Sequence, residues 1–282
     1  MEGKSSTLEN LELVKSVPLN VGIVGAYGFI GRYLTAELSR KGFQVIAWNR
    51  EKHGSFLLES DRKNFLRNND LDIVYQLAWV NVNNPNYRQE SANFDYARAS
   101  IELALDCHAR KIKCVLLGST YADLESNTEP YSTSKRNLQI ELREINPSHI
   151  FLAKPTYVFS LEDLRPHLFK QFVNWLESSK KTQTFELINA DFQIDLIHVK
   201  DVANALLFFV NNGLNYREYL LTSGFSISVK DVVEFLSNKL NGFSNEINTS
   251  KLCQSGNLNA GSKIISNRET FNFFGLNGIL SE

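Results

Sequence analysis

The sequence predicts an α/β protein built on a doubly wound parallel sheet with a small C-terminal lobe, and three observations carry that prediction. A short apolar run at residues 21–24 leads into glycines at positions 25, 28 and 31 and then into apolar residues at helical spacing. Strand-type and helix-type segments then alternate through the first half of the chain. The fourth strand-like run, residues 114–117, ends in Gly118-Ser119-Thr120, as expected where strands deliver their carboxyl ends to a ligand crevice.

Residues 1–18 carry Ser, Thr, Glu and Lys with little periodicity and are expected to form an N-terminal arm. In residues 21–34 the three glycines act differently. The first permits a sharp turn, the second lets backbone approach a pyrophosphate, and the third lets helix pack on strand. The turn and the helix start, Gly25, Tyr27, Gly28, Phe29, Ile30, Gly31 and Arg32, are therefore expected to bind a dinucleotide, whose phosphates would face the helix N-terminus. Ile30, Leu34 and Leu38 share one helical face, and Gly42 is expected to close the helix. Residues 44–48 read as the second strand of a right-handed βαβ unit.

The residues after that strand bear on the kind of dinucleotide. An acidic residue there binds the adenosine ribose of NAD and repels a 2′-phosphate. Here Asn49 and Arg50 follow instead, and Arg32 lies on the phosphate side of the first helix. A guanidinium binds phosphate bidentately, so NADP is favoured over NAD.

Residues 61–69 read as a helix and 71–77 as a strand whose exit, Leu77, Ala78 and Trp79, would pass near the cofactor. Asn93 opens a long amphipathic helix with Ala97, Ile101 and Leu105 on one face. Beyond Thr120 comes Pro130 and then Tyr131-Ser132-Thr133-Ser134-Lys135. Positions four apart on a helix share a face, so the Tyr131 hydroxyl and the Lys135 ammonium can serve one site. Of ten tyrosines only Tyr131 has Lys four residues on. A phenol with a pKa of about 10 is a weak catalyst at neutral pH, and a nearby cation favours its ionised form. Tyr131 would then exchange a proton with a carbonyl oxygen, Lys135 would supply the cation and hold the nicotinamide ribose, and Thr120 or Ser119 would orient the oxygen.

Composition narrows the alternatives. Thirty Lys and Arg against thirty-one Asp and Glu favour neither nucleic acid nor an anionic membrane as a partner. No apolar run approaches the roughly 20 residues of a membrane span, and the N-terminus lacks a signal-peptide core, so a cytoplasmic protein is expected. Cys107, Cys114 and Cys253 form no C-x-x-C pair and are expected to be buried apolar residues, with no metal site.

These motifs together resemble the extended short-chain dehydrogenase/reductases, also called the NAD-dependent epimerase/dehydratase family. The resemblance rests on G-A-Y-G-F-I-G, V-Y-Q-L-A, Asn93, the Ser119-Thr120 pair, Y-S-T-S-K, K-P-T-Y-V-F, Q-I-D-L-I-H-V-K-D-V-A-N-A and S-G-F-S-I-S-V-K-D-V. It implies a Rossmann-type fold with residues 19–156 binding the dinucleotide and 157–282 mainly binding substrate, interleaved with the last sheet strands around 185–205. It also implies Lys154 and Pro155 beside the nicotinamide, a mainly structural Asn93, a packing role for His198, a nucleotide-sugar substrate, and a homodimer through the Asn93 and Tyr131 helices. Two departures narrow the reaction. Dehydratase members carry Asp-Glu after the strand-end Thr, where this chain has Tyr121 and Ala122, and epimerising members often carry Asn where this chain has Tyr157. The pattern looks more like the 4-keto-6-deoxysugar reductases, with an NAD-dependent 4-epimerase as runner-up and a non-catalytic NADP-binding regulator as a rival. Arg165, Lys180, Lys181 and Arg268 are cations available to a sugar diphosphate, with Arg165 and Arg268 favoured, and residues 241–262, rich in Asn, Ser and Gly, read as a loop.

Overall fold

The computed structural model describes residues 18–160, 168–177, 185–188, 190–211, 217–241, 247–250 and 262–265. The body of the N-terminal arm, Arg165, Lys180, Lys181, Cys253 and Arg268 lie outside the described residues.

The first half alternates strictly: β1 (Asn20–Val24), α1 (Phe29–Arg40), β2 (Gln44–Ala47), the short α2 (Arg50–His53), α3 (Glu59–Asn68), β3 (Ile73–Gln76), α4 (Ala92–Ala109), β4 (Lys113–Leu117), α5 (Pro130–Ile145) and β5 (Ile150–Pro155). There follow β6 (Tyr157–Phe159), α6 (Leu168–Glu177), β7 (Phe185–Ile188), β8 (Gln193–His198), α7 (Val199–Asn211), β9 (Arg217–Thr222), β10 (Ser226–Ser228), α8 (Val229–Asn241), β11 (Ile247–Ser250) and β12 (Ser262–Ile265). Seven strands form one sheet in the order β2-β1-β3-β4-β5-β9-β12, every pair parallel. The chain leaves β1 for β2 on one side and returns to β3 on the other, so a crevice opens beyond the carboxyl ends of β1 and β3.

The strands are apolar on both faces because helices cover both. Val21, Ile23, Tyr75, Val115 and Phe151 pack with Leu34 and Leu38 of α1 and Val202, Leu206 and Phe209 of α7. Val24, Val74, Cys114, Leu116 and Leu152 face the other way, towards α3, α4 and α5. The buried Tyr75 hydroxyl donates to the Leu206 carbonyl at 2.8 Å, so this layer carries no unsatisfied phenol. Cys107 and Cys114 are both buried.

The remainder forms a smaller lobe. In its three-stranded sheet β6 and β8 run parallel and β10 is antiparallel to β8, while β7 and β11 form a parallel pair. Phe159, Leu196 and Ala190 pack there with Phe172 of α6 and Val229, Val232 and Val233 of α8.

Three details differ from the sequence reading. The last strands of the main sheet are β9 and β12, later than the 185–205 stretch, which supplies β7 and β8 to the small sheets. Residues 247–250, within the expected loop, form β11. The K-P-T-Y-V-F motif is split, with Lys154 and Pro155 ending β5 and Tyr157 opening β6. As expected, Gly42 closes α1: it follows the Lys41 C-cap at φ +85°, its amide donates to the Ser39 carbonyl at 3.0 Å and the Phe43 amide to the Leu38 carbonyl at 3.1 Å.

Gly31 shows how little room the βα junction has. A Cβ there would lie 2.0 Å from the Gly25 carbonyl oxygen and 2.9 Å from the Ala26 backbone. Both obstacles are backbone and cannot rotate away. Gly31→Ala is expected to cost about 2 to 3 kcal/mol of stability, read as a lower denaturation midpoint, and to displace the turn from α1.

Candidate active site

The glycine turn begins at Gly25, whose φ of +90° is a conformation that side-chain-bearing residues rarely adopt. A Cβ on Gly25 would also meet the Ala78 nitrogen at 2.6 Å, so the turn is pressed against the exit of β3. Gly28 is the N-cap of α1, and its amide donates to the Gly25 carbonyl at 3.0 Å. Among the described residues only that carbonyl, at 3.2 Å, stands near the position of a Gly28 Cβ. No side chain caps α1 and no acidic residue lies in its first turn. A bare, positively polarised helix start beside an open glycine suits a pyrophosphate. Tyr27 and Arg32 are exposed around it, Phe29 and Ile30 are half-buried, and the Arg32 guanidinium lies over the Tyr33 ring at 5.1 Å.

At the end of β2 the Asn49 side chain accepts from the backbone amides of Glu51 and Lys52, at 2.8 and 3.4 Å, and so caps α2. Arg50 is exposed at the start of α2. The Asn49 amide donates to His53 Nδ1 at 2.9 Å, and burial and the Lys52 cation hold the imidazole below its ordinary pKa. The ring packs against Trp48 and Phe65. The segment thus presents two basic side chains, Arg50 and Lys52, around a histidine that favours its neutral form.

The candidate reactive residues lie just after β4 and on α5. Thr120 opens a short 3₁₀ turn, Thr120–Asp123, and its hydroxyl donates to the Pro155 carbonyl at 3.2 Å. Ser119 caps that turn and is buried, as is Thr120. Pro130 starts α5, where a missing amide hydrogen costs nothing, so Tyr131 and Lys135 fall on successive turns of one face. Lys135 is only 3% exposed. Its ammonium donates to the Leu117 carbonyl at 2.5 Å and lies 3.3 Å from the centroid of the Trp79 ring. Burial pushes the Lys135 pKa well below its usual value, while the carbonyl and the indole face favour the charged form. The Tyr131 ring meets Tyr87 edge-on, with centroids 5.5 Å apart, and Tyr121 at 6.4 Å.

Several residues have partners that sequence reasoning did not name. Asn93 lies one residue inside α4, after the Ser91 cap; its carbonyl oxygen accepts from the Trp79 indole at 2.7 Å and its amide donates to the carbonyls of Tyr87 and Glu90. Asn93 therefore fixes the ring under Lys135, a role that the preceding aromatic residue at position 79 could have signalled. Trp79 contributes its ring as well as its backbone. Lys154 is 4% exposed and pairs with Asp123 at 2.8 Å and Glu218 at 3.3 Å, so its amine ties the Thr120 turn to β9. Tyr157 is half-buried against the small-lobe core, and His198 accepts from the Lys200 amide while its ring meets Phe159 edge-on. Among the described residues no group of three or more His, Cys, Asp or Glu side chains gathers. Among them, too, no helix is long and apolar enough to cross a membrane.

A glycine-turn dinucleotide fold whose next sheet strands bring a Thr beside a Tyr-x-x-x-Lys helix defines an extended short-chain dehydrogenase/reductase. The chain belongs to the NAD dependent epimerase/dehydratase family, whose model matches residues 21–221. It is 24% identical over 225 residues to the UDP-2-acetamido-2,6-beta-L-arabino-hexul-4-ose reductase of Pseudomonas aeruginosa, covering 77% of this chain and 57% of that protein. The chain thus spans little more than half the length of this curated relative. Its fold matches the NADP complex of dTDP-4-dehydrorhamnose reductase from Bacillus anthracis, with TM-score 0.70, 13% identity, and 92% of this chain and 93% of that one covered. It also matches UDP-N-acetylglucosamine 4-epimerase from Bacillus cereus, with TM-score 0.67, 15% identity, and 91% and 90% covered.

A buried ammonium such as that of Lys135 carries a cost in stability. Because its folded pKa is depressed, the Lys135 penalty is full below that pKa and is relieved as pH rises through it towards the unfolded value. Lys135→Met is therefore expected to unfold at or above the wild-type temperature at neutral pH while losing turnover. Calorimetry across the pH range checks this, and the stability advantage should shrink at alkaline pH.

Proposed function

We propose that the protein is an NADP-dependent ketoreductase acting on a nucleotide-linked 4-keto-deoxysugar. The observation that supports this reading is that Tyr131 and Lys135 share one face of α5, with the Lys135 ammonium donating to the last carbonyl of β4, three residues before Thr120. The nicotinamide, when bound, supplies the hydride. Gly25, Gly28 and Gly31 seat the pyrophosphate on the α1 N-terminus. Lys135 holds its positive charge near the Tyr131 phenol and makes it a better acid; Tyr131 delivers its proton to the carbonyl oxygen, and Ser119 or Thr120 orients that oxygen. Tyr121 and Ala122, where an acid pair would be needed, disfavour dehydration.

The absence of a carboxylate side chain at Asn49 and Arg50, with Lys52 beside them, supports NADP over NAD, and the matched Bacillus anthracis reductase is described as an NADP complex. A 4-epimerase using the same pair is the second reading, favoured by the fold match to the Bacillus cereus enzyme. Arg165 and Arg268 remain proposed diphosphate ligands, and the compartment proposed is the cytoplasm. Screening nucleotide-linked keto sugars for NADPH oxidation tests the reading. Tyr131→Phe should lower kcat by about 10² to 10⁴ while leaving NADPH binding within about threefold, and NADPH should bind more tightly than NADH. Undiminished turnover by Tyr131→Phe would contradict the acid-base role.

We further propose a homodimer across α4 and α5. Phe94 and Leu105 are exposed on α4, and Ala97, Ile101, Asn137 and Glu141 complete a groove with them. Exposed apolar side chains along α4, flanked by polar residues of α5, suit a second copy presenting the same face. Light scattering is expected to give twice the monomer mass, and Leu105→Glu to reduce it to one.

A further inference from the structure

We infer that Arg88 is a positioning residue for the proton transfer at Tyr131, clamping the aromatic wall of the site and fixing a permanent positive charge beside it. The inference rests on the acid-base role proposed for Tyr131.

Arg88 lies in the short 3₁₀ turn Tyr87–Gln89 that precedes α4. Its Nε donates to the Tyr87 hydroxyl and its Nη1 to the Tyr121 hydroxyl, both at 3.1 Å. The guanidinium carbon stands 4.3 Å from the centroid of the Tyr121 ring and 5.6 Å from that of Tyr87. Both rings pack against Tyr131. A planar guanidinium gripped by two phenols and an aromatic face has little rotational freedom, so its charge is held in place. Among the described residues it has those hydroxyls as polar partners and no carboxylate. Its charge is therefore not neutralised before it reaches the site.

Other charges around Tyr131 make this one matter. Lys135 contributes from α5 itself but is deeply buried, and burial works against its charge. Arg136, on the same helix, is turned to the carbonyls of Ala122, Leu124 and Asn127. Glu129 precedes α5, accepts from the Ser132 hydroxyl at 2.7 Å and acts on Tyr121 in the opposite sense. Asp123 is engaged by Lys154, and Glu90 by the Asn84 amide at 2.9 Å. Arg88, like Arg136 and unlike Lys135, needs no help to stay charged at any working pH, and it is the one of the two arginines whose guanidinium lies against the tyrosine rings. Burial opposes its charge, but Tyr87, Tyr121 and Tyr131 outweigh that effect and hold its pKa above the ordinary value.

The test uses the intact protein labelled with [¹³Cζ]tyrosine, the Tyr131 resonance being assigned by its loss in Tyr131→Phe and titrated from about pH 6 to about pH 11. Arg88→Met should move the Tyr131 titration up by about one unit. It should also carry the alkaline limb of the kcat/KM profile for NADPH-dependent reduction upward by the same amount, with kcat at neutral pH falling about tenfold. Arg88→Lys keeps the charge and should restore most of both. An unmoved titration in Arg88→Met with unchanged melting temperature would overturn the inference. So would a rise in KM alone, which would make Arg88 a substrate anchor. Full turnover by Tyr131→Phe would instead remove the underlying acid-base role, whereas loss of turnover there with an unmoved Arg88→Met titration removes only the part given to Arg88.

Discussion

An ammonium taken out of water must be satisfied from within, and for Lys135 the Leu117 carbonyl and the face of Trp79 do so. Leu117 is the last residue of β4, and Trp79 follows β3, so one side chain of α5 is tied to the carboxyl ends of two neighbouring strands. That tie sets the height of α5 over the sheet and with it the place of Tyr131, one turn earlier on the same face. Asn93 extends the constraint, since it holds the Trp79 indole and the backbone of the Tyr87 turn together. The wall of tyrosines and the lysine beneath it are thus held by one network.

A second polar hub stiffens the far side of the crevice. Lys154 links Asp123 and Glu218, and Arg143 on α5 grips the same Glu218, at 2.5 and 2.8 Å. Burial raises the Glu218 carboxyl, but Arg143 and Lys154 outweigh it and hold its pKa below the usual range. Asp195 in β8 accepts from Thr156, the amide and hydroxyl of Ser223, Gly224 and Thr222, so it joins the end of β5 to the β9–β10 connection. Both hubs brace the strand ends where Thr120 and Pro155 sit. Their charges go to holding the scaffold, whereas those of Lys135 and Arg88 lie beside Tyr131.

What was legible in the sequence was local. The glycine spacing encodes a turn, and the four-residue separation of Tyr131 and Lys135 encodes a shared helical face, so both survive without knowledge of the fold. Arg88 was not legible, because its meaning comes from Tyr121, 33 positions away, and from ring contacts that only folding creates. Lys154 illustrates a different limit: a lysine in an apolar strand reads equally as a ligand group or a buried ion partner, and the partners Asp123 and Glu218 are remote. β11 was missed because an Asn- and Ser-rich run has weak strand propensity and is paired by tertiary contact with β7.

Reductase and epimerase chemistry would share Thr120, Tyr131 and Lys135 and differ in the fate of one hydride. The most direct measurement is therefore turnover of a nucleotide-linked 4-keto-deoxysugar with NADPH deuterated at the transferred position, followed by mass spectrometry of the sugar. The ketoreductase reading predicts one deuterium in each product molecule and one oxidised cofactor for each. Interconversion of a nucleotide-linked sugar and its 4-epimer with no net cofactor oxidation would contradict it.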